Sequence, residues 1–183
     1  LNGDIDVTHV FSTGWSFQIG GAFAALRADG SVVTWGDANA GGDSSAVASA
    51  LNGDIDVTKV FSTRAAFAAL RADGSVVTWG DAAYGGDSSA VTSALNGNID
   101  VTQVFSNLGA FAALRADGSV VTWGVDSWGG DSSAVASQLR NVVSLANAYT
   151  DDVYVAPTGS NPTIATEEDT ARVLVVADFG FSD

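Results

Sequence analysis

Several residue types are missing or almost missing from this chain, and each absence excludes a class of site. There is no cysteine, so disulfides, thiolate metal ligands and cysteine nucleophiles are excluded. His9 is the only histidine, so a catalytic triad or a multi-histidine metal site would have to include it. Glutamate occurs only at Glu167 and Glu168, and proline occurs only twice. The chain therefore offers few residues for acid–base or transition-metal chemistry.

Positive charge is also scarce. Seven Lys and Arg stand against 21 Asp and Glu, the net charge is −14, and Lys59 is the only lysine. Nucleic acids and anionic membranes are recognised by clusters of basic residues, so neither is a predicted partner. No apolar run approaches the ~18 residues that cross a bilayer, so no membrane insertion is expected. The hydrophobic content of 46% in 183 residues is enough for a packed core.

A repeated unit of 44 residues dominates the sequence. Residues 51–94 and 95–138 match without gaps at 33 of 44 positions, and residues 1–50 are the same unit with six extra residues near Trp15. A fixed period of this length is typical of solenoids and propellers. We therefore divide residues 1–138 into three propeller-type repeats.

Residues 139–166 are predicted to form a degenerate fourth repeat that caps the array. Val142–Gly159 aligns without a gap with Val101–Gly118, so that apolar positions and turn glycines coincide. A terminal repeat has no neighbour on one side, and its sequence is expected to diverge. The alternative, that this stretch is a linker, stays open. Residues 167–183 then form a separate C-terminal strand.

The turn residues inside each unit predict its strands. Asp73-Gly74 lies between the apolar runs AFAALR and VVTWG, which predicts an antiparallel hairpin with a type I′ turn. IDVTKVFS is a third predicted strand, and GGDSSAVTSAL is predicted to be a loop followed by a helical turn or an outer strand. Phe67 and Ala69 alternate with Ala68 and Leu70, so both faces of this strand are apolar and suit a sheet stacked between two others.

We therefore predict an all-β repeat protein made of stacked, short antiparallel sheets that are similar to propeller blades. Trp35, Trp79 and Trp123 occupy the same strand position in the three repeats, and we expect all three to be packed in the core.

The segment AALRADGSVVTWG, followed by GGD, resembles the propeller repeat of the regulator-of-chromosome-condensation family, in the form found in large bacterial surface proteins. The resemblance covers residues 1–140 and implies a β-propeller fold in a family whose members are mostly binding scaffolds. A propeller ring takes about four to eight blades. Because this chain has three full repeats, we expect an open arc rather than a ring closed within one chain.

The C-terminal segment ATEEDTARVLVVADFGFSD, residues 165–183, resembles the opening strand of bacterial cadherin-like repeats. In that family an early glutamate and later aspartates bind calcium, so the resemblance implies calcium ligands at Glu168 and Asp183. Both resemblances imply a secreted or cell-surface protein. We expect the chain to be a segment of a longer one.

The aspartates and serines that recur in every repeat are open to two interpretations. Asp43, Asp87 and Asp131 lie in GGDSS segments, where aspartate either stabilises a turn or supplies part of a calcium shell. The turn interpretation is favoured, because calcium takes six to eight oxygen ligands. The serines that follow have no recurring base beside them, so they are predicted to be architectural and the chain is predicted not to be an enzyme.

Two groups of apolar residues are candidate interaction sites. Trp15, Tyr84 and Trp128 lie in loops and are predicted to form an exposed aromatic platform for a glycan or a protein. Val173 and Val175 lie in the C-terminal strand, which has no domain of its own in this chain. An apolar strand without a partner seeks an open sheet edge, so this strand is predicted to dock on a neighbouring subunit.

The function that follows is a non-enzymatic extracellular structural or adhesive module, either a segment of a giant surface adhesin or a subunit of a surface fibre. We expect homotypic head-to-tail assembly, with no cofactor other than calcium. The alternatives are a β-propeller that binds a glycan or a protein through its aromatic loops, and an enzyme-inhibitor scaffold.

Overall fold

The computed structural model of this chain describes residues 5–14 and 20–145, and these contain nine β-strands. The strands form three separate three-stranded antiparallel sheets, each with its strands in chain order. Their bounds are β1 Val7–Ser12, β2 Ala22–Arg27, β3 Val32–Gly36, β4 Val57–Ser62, β5 Ala66–Arg71, β6 Val76–Gly80, β7 Val101–Ser106, β8 Ala110–Arg115 and β9 Val120–Gly124. The predicted all-β fold of stacked short sheets is confirmed, and within the described residues no sheet closes on itself.

Short 3₁₀ helices follow the third strand of each repeat. They span Ala38–Ala40 and Ser45–Ala50, Ala82–Tyr84 and Ser89–Ala94, and Asp126–Trp128 and Ser133–Val135. The predicted loop with a helical turn is thus confirmed, and no outer strand forms at these positions. The first helix of each pair ends at a left-handed glycine, and we call the turns of residues 37–41, 81–85 and 125–129 the glycine turns.

The hairpin turn differs from the type I′ turn predicted from Asp73-Gly74. Gly74 N–H donates to the Arg71 carbonyl at 3.0 Å, and Arg71 N–H donates to the Ser75 carbonyl at 2.9 Å. A type I′ turn needs positive φ at both central residues, but only Gly74, at 73°, has it here. The Asp73 carboxylate accepts the Ser75 amide at 3.0 Å and the Ser75 hydroxyl at 2.6 Å. These bonds favour a turn with one extra residue, closed by a glycine bulge.

Consecutive repeats are joined by backbone hydrogen bonds that recur with the repeat period. Val57 N–H donates to the carbonyl of Gly30, in the hairpin turn of the preceding repeat, at 2.9 Å. Val101 N–H makes the same bond to Gly74 at 2.9 Å. Each repeat therefore begins by crossing the hairpin turn of the one before it, which fixes the spacing of neighbouring sheets.

The core lies between the sheets, in two clusters. The first contains Ala22, Ala24 and Leu26 of β2 together with Phe67 and Trp79 of the second repeat. The second cluster repeats this arrangement with Ala66, Ala68 and Leu70 of β5 against Phe111 and Trp123 of the third repeat. The predicted alternation along AFAALR is confirmed. One face of each sheet, the aromatic face, carries Phe and Trp, and the other, the alanine face, carries small residues and leucine.

Candidate interaction surface

The centre of each aromatic face is a stacked Phe–Trp pair on adjacent strands. Phe67 and Trp79 are directly opposite in the register of β5 and β6, and their ring centroids are 5.2 Å apart at an interplanar angle of 24°. Phe111 and Trp123 repeat this geometry at 5.2 Å and 22°. Offset stacking at this distance is favourable beyond the area that it buries. The pair forms one continuous aromatic surface on the sheet.

In the second and third repeats this aromatic surface covers the glycine turn of the preceding repeat. Trp79 Nε1–H donates to the Gly41 carbonyl at 3.0 Å, and Trp123 Nε1–H donates to the Gly85 carbonyl at 3.1 Å. A Cβ at Gly41 would lie 2.7 Å from Phe67 Cδ2. Only glycine allows the ring to approach this closely, and the positive φ of 96° at Gly41 also favours it.

The first repeat has the same aromatic pair, but the pair is exposed. Phe23 and Trp35 stack at 5.3 Å, and 42% and 44% of their surfaces are accessible. The prediction that Trp35 is packed like its equivalents is therefore wrong, since Trp79 is only 4% exposed. Within the described residues, the difference is that no glycine turn covers the first pair. Residue type alone does not reveal this, because the three tryptophans have the same neighbours in sequence.

At the other end of the array, the third glycine turn has no aromatic pair against it. Gly129 has a φ of 93°, and no described atom lies within 4 Å of an added Cβ. Its turn is closed by hydrogen bonds from Trp128 N–H to the Val125 carbonyl and from Gly129 N–H to the Asp126 carbonyl, both at 3.0 Å. The array therefore presents an exposed aromatic pair at one end and an exposed glycine turn at the other.

Two of the loop aromatics predicted from sequence lie in the described part of the chain. Tyr84 is half-buried, packs against both core clusters and lies 5.6 Å from the Arg64 guanidinium carbon. Trp128, its equivalent in the third repeat, is 45% exposed. Its carbonyl accepts a hydrogen bond from Asn107 Nδ2 at 2.7 Å. Trp128 is thus the more accessible of the two and belongs to the exposed glycine turn.

The remaining predicted site residues fall outside the described residues. They are Trp15 in the first repeat, Val173 and Val175 in the C-terminal strand, and the calcium candidates Glu168 and Asp183. Among the described residues, no group of three or more His, Cys, Asp or Glu is arranged to hold a metal ion.

The recurring aspartates and serines make local hydrogen bonds. Asp87 Oδ1 accepts the Ser89 amide at 2.8 Å, and this bond is the first cause of a lowered pKa for the Asp87 carboxyl. In the hairpin turn, the Ser75 hydroxyl is the first cause that holds the pKa of Asp73 below its ordinary value of 3.8. Thr78 Oγ1 bonds Ser88 Oγ at 2.9 Å. These contacts support the turn interpretation of the recurring residues.

Together, the three stacked sheets and their recurring contacts define an all-β repeat protein with propeller-type blades. Within the described residues, none of the helices is both long and apolar enough for a membrane crossing.

No protein-family model and no curated protein matches the sequence. Three solved structures are similar in part. Human WBSCR16 is 22% identical over 67% of this chain and 35% of its own, with a TM-score of 0.43. The ectodomain of the Physcomitrella patens receptor kinase CR4 is 13% identical over 66% of this chain and 28% of its own, at 0.43. The CRINKLY WD40 ectodomain of the Arabidopsis thaliana receptor kinase ACR4 is 15% identical over 68% and 45%, at 0.44. The chain spans less than half the length of each.

Proposed function

We propose that this chain is a non-enzymatic structural module of an extracellular repeat protein, which acts through contacts between repeats and assembles head to tail with copies of itself. The observation that carries the proposal is the unequal covering of identical aromatic faces. Phe67 and Phe111 are at most 1% exposed, whereas Phe23 is 42% exposed. A face that is built for a repeat contact and is left exposed is typical of an interaction surface.

The charge pattern and the use of polar residues are consistent with this role. The recurring aspartates and serines bond their own turns, which accounts for their repetition without catalysis. The net charge of −14 keeps the protein soluble and suits an extracellular setting. The resemblances to surface-protein propeller repeats and to cadherin-like strands support the same location. In this proposal the strand of residues 167–183 docks on a neighbouring subunit and strengthens the assembly.

The test is the mass of the purified chain as a function of concentration, measured by light scattering and sedimentation velocity. We expect reversible association that gives species larger than a dimer, because a head-to-tail contact leaves one face of each end subunit exposed. A variant that lacks residues 167–183 should associate more weakly. A chain that stays monomeric at millimolar concentration would contradict the proposal.

A second candidate function is the binding of a glycan or a foreign protein through the loop aromatics, and the exposure of Trp128 favours it. In that case Trp128→Ala should abolish binding on a glycan array or in a pull-down from surface extracts, and should leave the mass of the chain unchanged. Loss of self-association in Trp128→Ala, with no ligand found for the wild type, would favour the structural module.

A further inference from the structure

We propose that the aromatic face of the first repeat binds the glycine turn of residues 125–129 in a second copy of this chain, with Trp35 Nε1–H donating to the Gly129 carbonyl oxygen. This inference rests on the proposed head-to-tail assembly and states which surfaces form it.

The chain itself contains the template for this contact twice. In both internal interfaces a tryptophan Nε1–H donates to the last carbonyl of the preceding glycine turn, at 3.0 and 3.1 Å. In both, a Cβ on that glycine would lie 2.7 Å from the Phe ring of the next repeat. Two copies with the same distances show that the contact depends on the repeat sequence and not on one favourable position.

The aromatic face of the first repeat has the complete set of residues that this contact uses. Four of its apolar residues are 36–55% exposed, and their equivalents in both later repeats are at most 4% exposed. The four are Val7, Val10, Phe23 and Trp35. The stacking distance of 5.3 Å in the first pair is within 0.1 Å of the 5.2 Å in the other pairs, so the surface is already formed without a neighbour.

The glycine turn of the third repeat has the matching shape. Gly129 has φ 93° and ψ 13°, against 96° and 13° at Gly41 and 94° and 12° at Gly85. Val135 of the following 3₁₀ helix is 42% exposed, whereas its equivalents Val47 and Val91 pack against the core clusters. The turn and its surroundings are thus preformed for the contact that the two earlier turns make.

A second pair of groups also matches across the proposed interface. Gly14 N–H donates to the Arg64 carbonyl at 2.8 Å, and Arg64 N–H donates to the Leu108 carbonyl at 3.0 Å, so one backbone bond links each repeat to the next. Leu108 N–H holds the same position in the third repeat. In the head-to-tail contact it would donate to the Gly14 carbonyl of the second copy. The occupant is therefore assigned to this chain, because its third repeat carries both groups at the required positions.

An alanine residue at the Tyr84 or Trp128 position is not required. The first glycine turn has the buried Ala40 there, and the second has the half-buried Tyr84, yet both meet an aromatic pair at the same distances. An aromatic residue before the glycine is therefore compatible with the contact, and Trp128 can be accommodated as Tyr84 is.

The experiment uses two variants that each block one surface. Trp35→Asp places a carboxylate on the aromatic face, and Gly129→Leu fills the space that the Phe23 ring of the second copy would take. Both sites are exposed at the ends of the array, so the repeats should still fold, which circular dichroism checks. Each variant alone should be monomeric. An equimolar mixture should form a complex with the mass of two chains and nothing larger, because each partner retains one intact surface.

Two further variants measure the contact itself. Trp35→Phe keeps the ring and removes the Nε1–H, and should weaken association about tenfold, the effect of losing one buried hydrogen bond. Ile55→Ser is the control: Ile5 and Ile55 are equally exposed at 36%, so this position lies outside the repeat contacts. Its association should equal that of the wild type.

The outcomes separate this inference from the proposed function. If the wild type associates and the mixture gives only dimers, both are supported. If the wild type associates but Trp35→Asp and Gly129→Leu associate equally well, this inference is overturned and the head-to-tail proposal survives through another surface, such as residues 167–183. If the wild type is monomeric under all conditions, both are overturned.

Discussion

Replacing Gly85 with alanine tests the close approach of ring and turn between repeats. Gly85 has a φ of 94°, where an L residue costs about 1–2 kcal/mol. The added Cβ would also lie 2.7 Å from Phe111 Cδ2 and 2.9 Å from Cε2. The ring would have to move by about 0.7 Å to reach an ordinary contact of 3.4 Å, in a core where overpacking costs about 1–3 kcal/mol. We therefore expect Gly85→Ala to reduce the free energy of unfolding by about 2–5 kcal/mol.

Gly129→Ala is the matched control, because its φ of 93° is the same and no described atom lies within 4 Å of the new Cβ. It should cost only the backbone term of about 1–2 kcal/mol. Urea unfolding followed by tryptophan fluorescence, at concentrations low enough to keep the chain monomeric, measures both variants. The expected difference is about 1–3 kcal/mol. Equal destabilisation by the two substitutions would show that Phe111 does not pack on the glycine turn.

Three further predictions concern single contacts. Trp79→Phe should lower the free energy of unfolding by about 1–3 kcal/mol through a lost hydrogen bond and a small cavity, whereas Trp35→Phe in the monomer should change it by less than about 0.5 kcal/mol; equal effects in urea unfolding would contradict the assigned burial. Gly74→Val should cost more than the ~1–3 kcal/mol of its positive φ alone, because its Cβ would lie 2.6 Å from Asp100 Cβ; an unchanged melting midpoint would refute the turn assignment. The pKa of Asp73 is lower in the folded state than its ordinary 3.8, so its contribution to stability is present above pH 3.8 and is lost as the pH falls through the folded value. Asp73→Asn should therefore flatten the fall in stability below pH 3.8 in acid titrations, and a wild-type-like slope would argue against this role.

The sequence by itself determined the elements and the way they stack. The 44-residue period, the three strands of each unit and the alternation of Phe67 and Ala69 with Ala68 and Leu70 all follow from residues close in sequence. Strand and turn preferences are local, and a period-2 pattern with two apolar faces allows only a sheet that is covered on both sides. The prediction of repeat boundaries at residues 50/51 and 94/95 also comes from sequence identity alone and stays a prediction.

The tertiary structure decided the turn type and the covering of each face. The Asp73 side chain was expected to favour positive φ, but it bonds Ser75 instead, which only the folded turn shows. Trp35 and Trp79 have the same local sequence, yet one is exposed and the other is buried against Gly41. Burial depends on what lies across the interface, and that neighbour is set by the order of repeats in space. For this reason the exposed ends of the array, where the interaction is proposed, could be located only from the structure.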